Sequence, residues 1–434
     1  RRAIFILCLR CFARGNILCC AACGKKGVFV DKDSADAKSD LRVENMKLTR
    51  RSLLSAVPLT TAGLSLASLA GASRLGTSEG QYEKPKVRAE AHKEPPLENF
   101  KYDLDGSTGF AGDGGTAKEV TVTEFPVSTS IAGVSMVLKP GAIRELHWHA
   151  IAAEWAYVIK GNVRTTALGP NGEAAEDDFG PGDIWYFPKG HPHALQGLGP
   201  GDTHFILVFD DGRFSEFGTF SITDWFAQTR PEVLARNSGL TLQTASLPKG
   251  EVYITPGRVP PREQQPFRNG DPIPSQGAHK FKLLEREPSV WPGGEERIVD
   301  SHDFPMSKTV VGAVMDLKPG ALRELHWHPN ADEWQYYISG RARVGIFGAH
   351  GRSSVEEFGP GQVAFIRQGF GHYIEQVGDE PTRILITFPA AEYQEVSLSA
   401  WLANNPSQLI EDNFGISAEE VARMPKAKEA IYGK

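Results

Sequence analysis

Thiols are missing from almost the whole chain. All five cysteines, Cys8, Cys11, Cys19, Cys20 and Cys23, sit near the start of the 434 residues. The rest of the protein therefore holds no disulfide and no thiolate metal site. An excess of positive charge is missing too, since the formal net charge is −6, and nothing calls for a nucleic-acid partner. Helical periodicity is scarce, confined to the stretches around 223–236 and 399–411. No apolar run near the start is long enough to span a membrane, because Arg10 and Arg14 interrupt it. What is present is ordinary globular material, 41% hydrophobic and 23% charged, on a length that suits two domains with a core each.

Residues 1–45 show no clear hydrophobic period. They are expected to be upstream sequence carried by a long gene model; a Cys-rich metal-binding or membrane-proximal segment is the alternative. A second beginning stands at Met46, where Lys47-Leu48-Thr49-Arg50-Arg51-Ser52-Leu53-Leu54 leads into an apolar stretch and then Leu69-Ala70-Gly71-Ala72. That order describes a twin-arginine export signal over 46–72, cut after Ala72. A permanent amphipathic basic helix is the competing reading, and Pro58 with several glycines makes it a poor one. Twin-arginine export carries folded proteins, so the expected location is periplasmic or secreted, with no membrane in the mature form. Residues 73–98, rich in Glu, Lys and Pro, read as a linker or arm.

The body is one module written twice. Leu138-Lys-Pro-Gly-Ala-Ile-Arg-Glu-Leu-His-Trp-His149 returns as Leu317-Lys-Pro-Gly-Ala-Leu-Arg-Glu-Leu-His-Trp-His328. The same offset of 179 residues separates His147 from His326, Glu154 from Glu333 and His193 from His372. A repeat of that length is a duplicated domain, too long for a solenoid unit. Within each copy, short runs rich in Val, Ile, Phe, Tyr and Trp alternate with Gly-Pro punctuation, as at Gly180-Pro181-Gly182. This spacing predicts antiparallel strands in a sandwich or barrel of jelly-roll type, an all-β fold with short helices at the end of each module. The modules are placed at 99–245 and 279–434, joined by a proline-rich connection over 246–278.

Each copy carries His-x-His, a glutamate five residues on, and a third histidine 39 residues beyond that: His147, His149, Glu154 and His193, then His326, His328, Glu333 and His372. Residues i and i+2 of a strand face the same side, so each His-x-His offers two imidazoles to one interior. Three imidazoles and one carboxylate leave two cis positions on an octahedral ion. That donor set suits Mn²⁺ or Fe²⁺ better than a closed tetrahedral zinc site, and two ions per chain are expected.

The strings Gly141-x5-His147-x-His149-x4-Glu154-x6-Gly161 and Gly182-x5-Pro188-x-Gly190-x2-His193 resemble the two cupin signatures. Their doubles run from Gly320 to Gly340 and from Gly361 to His372, with Arg367 in place of the usual proline. The longer strings, among them Glu154-Trp-Ala-Tyr157, Asp183-Ile-Trp-Tyr-Phe-Pro188 and Glu333-Trp-Gln-Tyr-Tyr-Ile-Ser-Gly340, are similar to the bicupin oxalate decarboxylases over roughly residues 100–425. The resemblance implies two tandem cupin domains, oxalate as substrate, manganese with dioxygen as co-catalyst, and a homo-oligomer, trimer or hexamer. Arg144 and Arg323, three residues before the first histidine of each site, are the candidates to pair with a bound carboxylate; a salt bridge to the adjacent Glu145 or Glu324 is the bland alternative.

Decarboxylation to formate needs a proton moved, and the family uses a mobile lid glutamate over the first site. The matching stretch is 214–220, which makes Glu216 the candidate acid-base group. Phe217 and Gly218 depart from the family's Ser-Glu-Asn-Ser-Thr, and Gly218 is expected to permit unusual backbone angles and hinge motion. The second copy shows no equal lid, and a strand glutamate that the family can carry there is Ile386. Catalysis is therefore placed in the first module, with the second site structural or auxiliary. Three other readings share the ligands: an oxalate oxidase that releases peroxide, a manganese-holding or storage bicupin, and an iron dioxygenase of aromatic rings.

Overall fold

The computed structural model describes residues 95–240, 247–261 and 278–434. The upstream segment, the export signal and most of the arm expected above lie outside them. Each module is a seven-stranded antiparallel sheet facing a six-stranded one, the two-layer jelly roll that the spacing of short strands implies. Apolar residues between the two sheets form a separate core in each module. A third core, which includes Leu104, Trp155, Tyr157, Trp334, Tyr336 and Phe365, joins the large sheets of the two modules.

The strand Glu154–Lys160 shows why its apolar run is unbroken. Glu154, Ala156 and Val158 face into the first module, while Trp155 and Tyr157 face the partner module, so both sides are buried. Each fully buried tryptophan removes about 200 Å² from water, worth roughly 5 kcal/mol at about 25 cal/mol per Å². The packing is reciprocal. A β-carbon on Gly312 would lie 2.2 Å from the Trp155 ring, and one on Gly133 would lie 2.5 Å from the Trp334 ring. Only glycine leaves room for the indole at these two positions.

Strand pairing crosses between the two modules. Lys101–Asp103, at the start of the first module, pairs with Gln362–Ile366 of the second. Lys280–Lys282 pairs in return with Asp183–Phe187 of the first. Ile254–Thr255, inside the expected connection, pairs with the histidine strand of the first module, and Ile431–Tyr432 does the same in the second. The helical stretches appear as pairs, Ile222–Gln228 with Pro231–Ser238 and Leu398–Ala403 with Ser407–Phe414. Pro231 and Pro406 break them, because a proline inside a helix loses a hydrogen bond and clashes with the preceding turn. No helix among the described residues is long and apolar enough to cross a membrane.

Candidate metal centres and their arginine–carboxylate pairs

Strand alternation alone would turn Arg144 away from His147, because the two are an odd number of residues apart. The histidine strand Ile143–Trp148 solves this with a bulge: His147 stands opposite His193 and Arg144 opposite Leu195, so one strand spends three residues where the other spends two. The second module repeats it, with His326 opposite His372 and Arg323 opposite Ile374. Both arginines are thereby buried beside their histidines. Trp148 and Trp327 take the outer face, against Phe220 and Trp225 in one module and Trp401 in the other, in line with a packing role.

All eight expected ligands come together as two buried four-residue clusters, with the ligand atoms of each within 4.8 Å of one another. The first is His147, His149, Glu154 and His193; the second is His326, His328, Glu333 and His372. Their outer contacts fit a metal. His147 Nδ1 pairs with the Glu145 carbonyl at 2.5 Å and His193 Nδ1 with the His191 carbonyl at 2.9 Å. In the second cluster His326, His328 and His372 pair the same nitrogen with the carbonyls of Glu324, Gln394 and Phe370. A carbonyl can only accept, so each Nδ1 carries the proton and each Nε2 lone pair faces inward. Nε2 of His147 is buried with no hydrogen-bond partner among the described residues. The Nε2-to-carboxylate distances, 2.9 and 3.2 Å at Glu154 and 2.8 and 3.0 Å at Glu333, suit atoms that share one ion at about 2.1 Å each and near right angles. Burial holds the His147 and His326 imidazoles well below their usual value, in the neutral form a metal requires. The carboxylates are steadied differently: Trp185 Nε1 donates to Glu154 at 2.7 Å, and Gln335 Nε2 to Glu333 at 2.6 Å.

Neither arginine pairs with its neighbouring glutamate. Glu145 accepts instead from the amides of Val252 and Tyr253, and Glu324 from that of Ser399. In the first module Arg144 Nε donates to Glu216 Oε1 at 2.7 Å, both side chains fully buried. Glu216 opens a single 3-10 turn, Glu216–Gly218, capped by Ser215, and its other oxygen lies 4.0 Å from His149 Nε2. The lid candidate thus sits between the arginine and the metal cluster. Arg144 lies over the Tyr253 ring at 4.2 Å, and its Nη1 and Nη2 have no hydrogen-bond partner among the described residues, nor has Tyr253 Oη. Burial, with the Glu216 carboxylate nearby, pushes the Tyr253 phenol well above its usual value, so it remains a donor. The backbone at Gly218 is ordinary rather than left-handed, and a β-carbon there would meet nothing within 4 Å. This corrects the expectation of unusual angles: the turn closes with helical geometry that any residue adopts.

Sequence reasoning missed a carboxylate in the second module. The loop before Val396–Ser397 has no lid turn, yet it delivers Glu395 to Arg323. Tyr393 Oη donates to Glu395 at 2.6 Å, Lys428 Nζ lies 2.9 Å away on its other oxygen, and Glu296 lies 3.8 Å from Arg323 Nε. Burial opposes the Glu395 charge, but Arg323, His326 and Lys428 outweigh it and hold the carboxyl well below the usual range. The signal was Ser397, which pairs opposite His326 as Ser221 pairs opposite His147; Glu395 is two residues before it. Arg367, which replaces the signature proline, pairs with Glu98 of the arm.

A family model described as cupin matches residues 104–246 and 281–422. The oxalate decarboxylase OxdC of Bacillus subtilis (strain 168) is 42% identical over 339 residues, 78% of this chain and 88% of that protein. A probable oxalate decarboxylase of Arthroderma benhamiae is 35% identical, covering 73% of this chain and 79% of its own length. A solved structure concerned with the Mn(II) centres of the Bacillus subtilis oxalate decarboxylase superposes with a TM-score of 0.74, at 42% identity, over 79% of this chain and 90% of that one.

Proposed function

The chain belongs to the cupin family, among the two-module oxalate decarboxylases, and from that premise we propose that it converts oxalate to formate and CO₂ at a manganese centre in its first module. The observation that carries this reading is the Arg144–Glu216 pair beside His149, with both terminal guanidinium nitrogens buried and without a hydrogen-bond partner among the described residues, Nη1 lying 3.9 Å from Glu251. Bound manganese, with dioxygen as a co-catalyst not consumed overall, supplies reversible one-electron withdrawal from oxalate. Arg144 Nη1 and Nη2 bind one carboxylate of the oxalate monoanion, and Tyr253, whose ring lies under the guanidinium, carries a further hydroxyl donor without a partner among the described residues. Glu216 accepts the proton of the bound monoanion as charge leaves it, then returns that proton to the carbon exposed when the C–C bond breaks and CO₂ departs. The sum is one oxalate dianion and one proton in, one formate and one CO₂ out. The closed lid keeps water from that carbon.

The test follows formate and hydrogen peroxide together in manganese-loaded protein given oxalate in air, beside Glu216→Gln. Formate without matching peroxide, lost by about 10²–10⁴-fold in the variant, is the expected result. Peroxide as main product makes the protein an oxidase, and neither product from fully loaded protein favours a manganese-holding role. Export in folded form through the twin-arginine route belongs to the same proposal; replacing Arg50 and Arg51 by lysine should retain the protein in the cytoplasm. The exposed Trp225 and Trp401 support a homo-oligomer, which sedimentation would size.

A further inference from the structure

The lid is held from its outer side by a group that no cupin signature contains. Glu119, on the strand Gly115–Val120, accepts from Ser215 Oγ at 2.9 and 3.0 Å and from the Glu216 amide at 2.9 Å. Ser215 Oγ in turn accepts from the Phe217 amide at 3.2 Å, so one carboxylate fixes the first residues of the 3-10 turn. The Glu216 side chain is then free to reach inward to Arg144. Burial pushes the Glu119 carboxyl up, while the Ser215 hydroxyl and the lid amide pull it back. In the second module the residue one repeat later is Ile298, and no lid turn is found there among the described residues. The carboxylate is present where the lid is present.

We propose that Glu119 is the latch of the first-module lid, a positioning residue that keeps Glu216 over Arg144 while oxalate is bound. The inference rests on Glu216 as proton carrier for its functional consequence, and on geometry alone for the latch. Charge-assisted hydrogen bonds of this kind shift an open–closed equilibrium by about tenfold or more. With the lid open, the carbon left after the first CO₂ departs is not protonated and dioxygen takes its electron. The balance then becomes oxalate dianion, dioxygen and two protons giving two CO₂ and hydrogen peroxide.

The experiment compares the full chain with Glu119→Ala, Glu119→Gln and Ser215→Ala. Hydrogen exchange is read at residues 214–220 with and without manganese, and formate and peroxide are followed in parallel. In Glu119→Ala the Glu216 amide is expected to exchange about tenfold faster or more. Formation of formate should fall in kcat more than KM rises, and the peroxide share should grow. Glu119→Gln keeps an acceptor oxygen and recovers part of each change, and Ser215→Ala gives a smaller shift that does not add to that of Glu119→Ala. Metal content and melting temperature are measured for every variant. Unchanged lid exchange in Glu119→Ala overturns the latch, as do equal losses in Ala and Gln that track a falling melting temperature. If the parent makes no formate while Glu119→Ala still frees the lid amide, the latch stands and the decarboxylase reading falls.

Discussion

The two candidate metal centres share their ligands and differ in how fully the arginine beside them is paired. Arg144 hydrogen-bonds one carboxylate, on a lid, with Glu251 3.9 Å from Nη1, and its two terminal nitrogens have no hydrogen-bond partner among the described residues. Arg323 lies among Glu395, Glu296, Tyr393 and the Ala430 carbonyl, and the carboxylate it holds is shared with Lys428. The cavity beside it, lined by Ile374, Ile386 and Phe388, measures about 10 Å³, close to the least a single water needs. A guanidinium with spare donors can take up a substrate carboxylate; one already paired with protein charges has less capacity to do so. The duplication kept the metal-ligand set in both halves and kept guanidinium nitrogens without hydrogen bonds among the described residues in one.

Replacing each arginine in turn is the strongest way to break this comparison. Arg144→Ala removes the carboxylate clamp, and kcat/KM for formate should fall by about 10²–10⁴ at little change in melting temperature beyond that of the lost Glu216 contact. Arg323→Ala leaves Glu395 and Glu296 buried against each other, which costs on the order of 3–5 kcal/mol of stability. Its turnover per folded, metal-loaded chain should change by less than about threefold. Equal losses of turnover in the two variants, both folded and loaded, would sink the division of labour.

Acid sharpens the same contrast. Glu395 has a folded value held well below the usual range, against roughly 4.3 when unfolded. A depressed carboxyl contributes stability that is present above the unfolded value and lost as pH falls through the folded one. Glu395→Gln should therefore lower the melting temperature most at neutral pH, on the order of 3 kcal/mol in stability. The gap to the parent should close as the pH drops below about 4. Thermal unfolding of both proteins across that range checks it; a gap that stays constant would mean that shape, not charge, sets the loss.

The parts of this picture that could be read in sequence are those fixed by spacing. The eight ligands, the repeat and the short terminal helices follow from offsets and periodicity, though the breaks at Pro231 and Pro406 were not anticipated within the two helical stretches. Three features were not legible. The bulge that turns Arg144 and Arg323 inward depends on the opposite strand, whose register no local pattern reports. The exchanged strands Lys101–Asp103 and Lys280–Lys282 are three residues long and carry no alternation to count. Glu395 belongs to no motif and acquires meaning only once Ser397 is placed opposite His326. One signal was available and unused: in the repeat, Glu119 stands against Ile298 and Ala117 against Glu296, and inward positions that swap charge between copies mark where the copies diverge in use.

The smallest expected effect concerns the lid alone, since the second module offers no counterpart. Gly218 ends the 3-10 turn with an ordinary backbone and open space where a side chain would project. A serine there strains nothing in the closed lid and removes conformations available to the open one. Such replacements favour the ordered state by about 0.4–1 kcal/mol, a two- to fivefold gain in the closed population. Gly218→Ser should therefore raise the ratio of formate to peroxide by about that factor, with the melting temperature and the second centre untouched. Because serine adds no contact to Arg144 or Glu216, a gain would assign product choice to the time the lid spends closed. A ratio that stays the same or falls would place that choice in the side chains facing the metal, and Phe217, packed on Tyr253 at 5.4 Å between ring centres, would be the residue to change next.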